Sequence, residues 1–178
     1  MIRRFLATVM AAATLTLGLV ALSPAPAMAA GGWRIDSKPS GRCITPSGNN
    51  TTDRNIGVVL SNAPCKMTWT IEDIPGSDLK YLKLDANANR CLVPSGSDLG
   101  PIRVVTGACF DLPVFKWRAI PVDLPDSDRQ WVQWSNEASW LCLTVDDPIM
   151  PAGTPLSQAA CDWPTKETQM FASSPWTS

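Results

Sequence analysis

Six cysteines arranged as three similar pairs constrain the fold of this chain more than any other feature. The members of a pair are 22, 18 and 19 residues apart, and the second and third pairs begin 48 and 51 residues after the one before. A large aromatic residue precedes the first cysteine of each pair by 10 or 11 residues. The pairs are Cys43 and Cys65, Cys91 and Cys109, and Cys142 and Cys161. This recurrence predicts that one supersecondary unit is used three times.

The first 29 residues have the pattern of a secretory signal peptide. Arg3 and Arg4 precede an apolar run from Phe5 to Leu22, and Ala27-Met-Ala29 has the small-residue pattern of a cleavage site. An uncleaved membrane anchor is the alternative, but threonines interrupt the run and prolines follow it. The sequence therefore predicts a secreted, extracellular protein with residues 30–178 as a single domain.

The mature chain has a weakly acidic composition. Removal of Arg3 and Arg4 with the signal lowers Lys and Arg from 15 to 13 against 16 Asp and Glu, a net charge of −3. Such a surface predicts no nucleic-acid partner. No other apolar segment is long enough to span a membrane.

An even set of cysteines in an exported chain of this size predicts a disulfide framework. Among the possible pairings, the repeat selects the one in which each unit is closed by its own pair. A disulfide that closes a loop of this length stabilises a fold by about 3 kcal/mol in the chain-entropy model. Neither a metal site nor a cofactor is expected, because the chain has no histidine and no Cys-x-x-Cys motif.

Short alternating runs bounded by turn residues predict strands, and 16 prolines argue against long helices. Each unit is expected to hold four strands. The first has apolar residues on one face and polar ones such as Gln133 on the other, the second starts at the first cysteine, and the third runs into the second cysteine. The fourth carries Trp69, Trp117 or Phe171.

Twelve short strands in three units favour a closed barrel with a hairpin cap, the β-trefoil, over a three-bladed propeller, because closure removes sheet edges. The predicted fold is all-β, with four-stranded units of about 31–78, 79–128 and 129–175 around a pseudo-threefold axis. Five tryptophans on strands are expected in the barrel core: Trp33, Trp69, Trp117, Trp131 and Trp134. Trp140 and Trp163 are expected on loop surfaces.

Several short motifs carry a family resemblance. They are Cys43-Ile, Cys91-Leu and Cys142-Leu, Gly153-Thr154-x-Leu156, and Gln169-x-Phe171. From about Trp33 to Ala172, the chain resembles the ricin-type (R-type) lectins, whose unit runs Cys-Leu-Asp, Gly-Thr-x-Val, Cys and Gln-x-Trp. The resemblance implies a β-trefoil that binds carbohydrate without catalysis.

The chain departs from this family at two positions of every unit. The carboxylate that follows the first cysteine is replaced by Thr45, Val93 and Thr144. The stacking aromatic before the second cysteine is replaced by Ala63, Gly107 and Ala159. The usual sugar-binding pair is therefore missing.

A carbohydrate site is predicted in the third unit instead. Asp146 and Asp147 follow Cys142, Gln158 lies on the third strand, and Asp162-Trp163 follow Cys161. A sugar ring stacks its apolar face on an aromatic side chain and pairs its hydroxyls with carboxylates and amides. The alternative is a simple turn at Asp146-Asp147 and a loop anchor at Trp163. Phe110-Asp111 is a candidate for a smaller pocket in the second unit.

Enzymatic activity is not predicted. The absence of histidine excludes Ser-His-Asp and Cys-His arrangements, and no pair of acidic residues is marked for glycoside hydrolysis. The alternative to carbohydrate binding is a protein-binding or protease-inhibitor-like module that uses the variable loops 53–57, 112–114 and 164–168.

Overall fold

The computed structural model describes residues 32–48, 56–62, 65, 67–95, 102–125, 127–147 and 149–175. The predicted signal peptide, residues 1–29, lies outside these ranges. No helix in the described part of the chain is long and apolar enough to cross a membrane.

Twelve strands form one antiparallel sheet. They are β1 (Trp33–Ser37), β2 (Cys43–Pro46), β3 (Ile56–Ser61), β4 (Trp69–Asp73), β5 (Leu79–Leu84), β6 (Asn87–Ser95), β7 (Ile102–Ala108), β8 (Lys116–Val122), β9 (Trp131–Asn136), β10 (Cys142–Val145), β11 (Leu156–Ala159) and β12 (Phe171–Pro175). Short 3₁₀ helices at Pro113–Phe115 and Glu167–Gln169 precede β8 and β12. We call β1–β4, β5–β8 and β9–β12 the first, second and third units.

The strand pairings repeat from unit to unit. In each unit the first strand pairs with the second and the fourth, and the second with the third. The fourth strand pairs with the first strand of the next unit, and β12 returns to β1. The third strands join one another through β3–β7, β7–β11 and a bridge from Val59 to Pro155.

Each unit contributes equivalent residues to one buried core. The fourth-strand aromatics Trp69, Trp117 and Phe171 are fully buried. The indoles of Trp69 and Trp117 donate hydrogen bonds of 2.9 Å to the carbonyls of Ile44 and Leu92, one residue after the first cysteine of each unit. Truncation of such an aromatic to alanine costs about 3–5 kcal/mol.

All three predicted disulfides are confirmed: Cys43–Cys65, Cys91–Cys109 and Cys142–Cys161. Each lies within its own unit. They join the second strand of a unit to the segment that follows its third strand.

One strand boundary and two tryptophan positions differ from the sequence prediction. β6 begins at Asn87, four residues before Cys91, because the tight turn at Asp85-Ala86 lets Asn87 pair with Leu84. Trp33 is only partly buried at the first residue of β1. Trp131 packs in a separate small cluster with Met170 and Ala172, outside the main core.

Candidate functional site

The structure places the two adjacent carboxylates of the predicted sugar site in existing contacts. Asp146 accepts hydrogen bonds from the Ser157 hydroxyl and, at 2.9 Å, from the Arg103 guanidinium. Asp147 accepts the backbone N–H of Ile149 at 2.8 Å. Both carboxylates thus help to shape the loop after β10.

Gln158 and Asp162 are also held by neighbouring groups. Gln158 is only 5% exposed, and its Oε1 accepts the Ser139 hydroxyl at 3.1 Å. The Asp162 carboxylate pairs with Lys166 at 3.1 Å. The backbone N–H of Asp162 donates to Gln169 Oε1 at 3.0 Å, which ties this loop to the protein interior.

Trp163 is the exception, because 89% of its surface is exposed. It lines a cleft of about 270 Å³ together with the segment that ends the second unit. The lining residues are Pro121, Val122, Asp123, Leu124, Trp163, Pro164, Thr165 and Met170. None of the other four predicted residues lines this cleft, and the acidic residue that lines it with Trp163 is Asp123.

A second cleft of about 510 Å³ adjoins the first and shares Leu124 with it. Its lining residues are Lys38, Leu124, Pro125, Ser127, Asp128 and Trp131. Val122 and Leu124 pack against the Trp131–Met170–Ala172 cluster. Met170 of this cluster lines the first cleft and Trp131 lines the second.

Sequence reasoning missed the contribution of residues 121–125 and 127–128 to the two clefts. Their proline and aspartate content indicates a polar linker between units, and no local signal places that linker against a loop 40 residues later. The signal that does exist is Trp163 itself, a large aromatic residue that follows a cysteine in a loop rather than on a strand.

The second unit holds a polar cluster beside Phe110, which is itself 60% exposed. The Asp111 carboxylate accepts the Tyr81 hydroxyl at 2.8 Å and pairs with the Lys116 ammonium at 2.7 Å. The hydrogen bond from Lys116, followed by that from Tyr81, lowers the pKa of Asp111. Burial and the bond to Asp111 raise the pKa of Tyr81. Asp111 is therefore an ionised structural partner near neutral pH.

One group of possible metal ligands occurs in the described part of the chain, formed by Asp36, Cys43 and Cys65. Both cysteines belong to the same disulfide, so they offer no thiolate. Asp36 pairs instead with the guanidinium groups of Arg34 and Arg129.

Comparisons with known proteins show the fold. No protein-family model matches the chain, and no curated protein matches it in sequence. The solved structures it resembles include ThreeFoil, a designed 3-fold symmetric protein, with a TM-score of 0.68 and 16% identity over 81% of this chain and 98% of that one. They also include a proteinase inhibitor from Coprinopsis cinerea, with a TM-score of 0.60 and 13% identity over 82% of this chain and 97% of that one.

The hemolytic lectin CEL-III is a third similar structure, with a TM-score of 0.52 and 19% identity. The match covers 80% of this chain and 32% of that one. These neighbours are β-trefoil proteins. The chain thus has an all-β fold similar to that of these β-trefoil proteins, and at identities of 13–19% the comparisons show the fold alone.

Proposed function

We propose that residues 30–178 form a secreted, non-catalytic carbohydrate-binding β-trefoil, with three units around a pseudo-threefold axis. The observation that carries the functional part is Trp163, an almost fully exposed indole that lines one cleft with a carboxylate and a hydroxyl. The repeated strand pairings and the likeness to a designed 3-fold symmetric protein support the architecture.

The chemistry of the Trp163 cleft suits a sugar ring. An exposed indole offers a flat apolar face on which the C–H face of a sugar can stack. The Asp123 carboxylate accepts hydrogen bonds from sugar hydroxyls, and the Thr165 hydroxyl both donates and accepts them. This version of the site keeps Trp163 from the sequence prediction and takes its carboxylate from the preceding unit.

Secretion and the absence of catalysis are parts of the same proposal. Three disulfides fit an oxidising compartment, and the signal-like pattern of residues 1–29 agrees with export. The absence of histidine removes the usual base of hydrolytic triads.

The test is a glycan-array screen of residues 30–178, followed by titration of the best ligand. Trp163→Ala is expected to weaken binding by about tenfold or more, which corresponds to about 1.4 kcal/mol. Trp140→Ala is the matched control, because Trp140 is 67% exposed but lies outside both clefts. No glycan hit, or equal effects of the two variants, would count against the proposal.

Exposed apolar side chains away from the clefts favour a second candidate, a protein-binding or protease-inhibitor-like module. Ile149 is 85% exposed, whereas its neighbour Met150 is buried. The Met150 carbonyl accepts a hydrogen bond from Arg42 Nη1 at 2.8 Å. The loop thus presents Ile149 on a fixed base. A protease-inhibition panel and a pull-down from secreted proteins test this candidate, and Ile149→Glu should abolish any activity found.

A further inference from the structure

The two clefts together form one groove along residues 121–125 and 127–128, the described part of this linker. Leu124 borders both clefts. Trp163 lies on the third-unit side of the groove, and Lys38, from the turn between β1 and β2, lies in the second cleft. The groove is therefore longer than the Trp163 cleft alone and is built from all three units.

The linker that forms this groove is held in place by Ser127. The Ser127 N–H donates to the Leu124 carbonyl at 3.2 Å, and its hydroxyl accepts the Trp131 indole N–H at 2.7 Å. The same hydroxyl donates to the Arg129 carbonyl at 3.0 Å. A groove ordered before binding loses less conformational entropy when it takes a ligand.

Two exposed carboxylates of the groove have no ion-pair partner in the described part of the chain. Asp123 and Asp128 are exposed, one in each cleft, and neither has a hydrogen-bond or ion-pair partner among the described residues. The neighbouring cations are already paired: Lys38 with Glu167, Arg129 with Asp36, and Lys166 with Asp162. The local charge therefore favours a cationic ligand and disfavours an anionic one.

We propose that this groove binds a linear oligosaccharide of amino sugars with free, protonated amino groups, at least two sugar residues long. This inference rests on the carbohydrate-binding function proposed above and names its substrate class. One sugar stacks on Trp163 and places its ammonium group against Asp123, where the indole face also attracts the cation. The next sugar lies in the second cleft and pairs its ammonium group with Asp128.

Calorimetric titration with glucosamine and with its β-1,4-linked disaccharide and trisaccharide tests the inference. The trisaccharide should bind about tenfold or more tightly than the monosaccharide. N-acetylation should remove most of this gain because it abolishes the positive charge. Sodium chloride at about 0.5 M should also weaken binding, since these carboxylates are exposed to solvent.

Variants then separate the two ends of the groove. Asp128→Asn should lower the ratio of trisaccharide to monosaccharide affinity, whereas Trp163→Ala should weaken both ligands. Asp73→Asn is the control for loss of one exposed carboxylate, because Asp73 lies on β4, pairs there with Lys80 and lines neither cleft. It should bind all ligands as the unchanged protein does.

The outcomes distinguish this inference from the function on which it rests. Equal or tighter binding of N-acetylated or neutral sugars, or an unchanged ratio in Asp128→Asn, overturns the amino-sugar groove but leaves carbohydrate binding intact. If no sugar binds, amine-bearing or neutral, both proposals are wrong.

Discussion

The buried amide of Gln169 organises the loop that carries Trp163. It is 1% exposed and makes four side-chain hydrogen bonds. Its Oε1 accepts Gln133 Nε2 at 2.6 Å and the Asp162 N–H at 3.0 Å. Its Nε2 donates to the Ala160 carbonyl at 2.8 Å and to the Thr144 hydroxyl at 3.1 Å. One side chain thus joins β9, β10 and the loop after β11.

Replacement of Gln169 by alanine should lower the free energy of unfolding by about 3 kcal/mol, because it leaves several buried polar groups without partners. Urea unfolding with the disulfides intact measures this loss. Glu167→Gln, in the same 3₁₀ helix but 61% exposed at its side chain, is the control and should change stability by less than about 1 kcal/mol. Equal losses in both variants would contradict a central role for Gln169.

Ionisation of Asp111 should make stability depend on pH. The pKa of Asp111 is lowered from its ordinary value of 3.8 by Lys116 and Tyr81. A carboxyl group with a lowered folded-state pKa stabilises the fold above its unfolded pKa, and this contribution is lost as pH falls through the folded pKa. Asp111→Asn should therefore be slightly less stable than the unchanged protein near pH 7, because the pair is exposed to solvent. The difference should shrink as pH falls and the Asp111 carboxylate becomes protonated.

Urea unfolding over a series of pH values measures the Asp111 effect. Tyr81→Phe is the control: it keeps the contact with Lys116, which is the larger cause of the lowered pKa, and should keep most of the pH dependence. A stability difference between Asp111→Asn and the unchanged protein that is constant from pH 7 to the acid limit would contradict the prediction.

At the scale of strands and turns, the repeat predicted the four strands of each unit better than it predicted where they begin and end. The positions of Cys43 and Cys142 correctly mark the starts of β2 and β10. In the second unit, a two-residue turn at Asp85-Ala86 moves the start of β6 to Asn87. Cysteine spacing does not encode the length of that turn. Gln133, expected on the outer polar face of β9, is instead buried because Gln169 from another element pairs with it.

Gly107 is needed for the close pairing of β6 and β7. A Cβ at this position would lie 2.7 Å from Cγ1 of buried Val93, so a larger side chain has no room here unless Val93 shifts. Gly107→Ala should lower the free energy of unfolding by about 1–3 kcal/mol through overpacking.

Gly57 is the matched control for Gly107, since a Cβ there would meet nothing closer than Ser47 Oγ at 3.8 Å. Gly57→Ala in β3 should raise stability by about 0.5–1 kcal/mol, because glycine loses more backbone entropy than alanine when a strand forms. Thermal or urea unfolding of the two variants gives the signs. If both variants are less stable than the unchanged protein, lack of room for a Cβ does not explain the effect at Gly107.

On the scale of the whole molecule, the candidate groove explains why local patterns found only part of the site. Trp163 was predicted on a loop surface, and its exposure confirms that placement. Asp123, which lines the same cleft, and Lys38, which lines the second cleft, come from outside the third unit. The sheet brings them together through pairings between units, such as β8 with β9 and β12 with β1. Residue spacing within one unit carries no information about which residues of different units line the same groove.

Because the last strand, β12, pairs with the first, β1, we expect that the order of the units along the chain can be changed. Trp33 pairs with Pro175, so the two ends of the sheet lie side by side. Gly76 lies in an exposed turn between β4 and β5, with a φ of 74°. A circular permutant that joins Pro175 to Gly32 through a short glycine-serine linker and opens between Gly76 and Ser77 keeps every cystine within one unit. The cost of one new loop grows only slowly with its length.

We therefore expect this permutant to fold and to have a free energy of unfolding within about 2 kcal/mol of that of the original chain. Non-reducing peptide mapping should find the same three disulfides. A permutant opened between Gly57 and Val58 is the control, because it cuts β3 inside the loop closed by the first cystine, and it should fail to fold. If the first permutant forms a cross-unit disulfide or the second folds equally well, the four-strand unit is not the element from which this molecule is built.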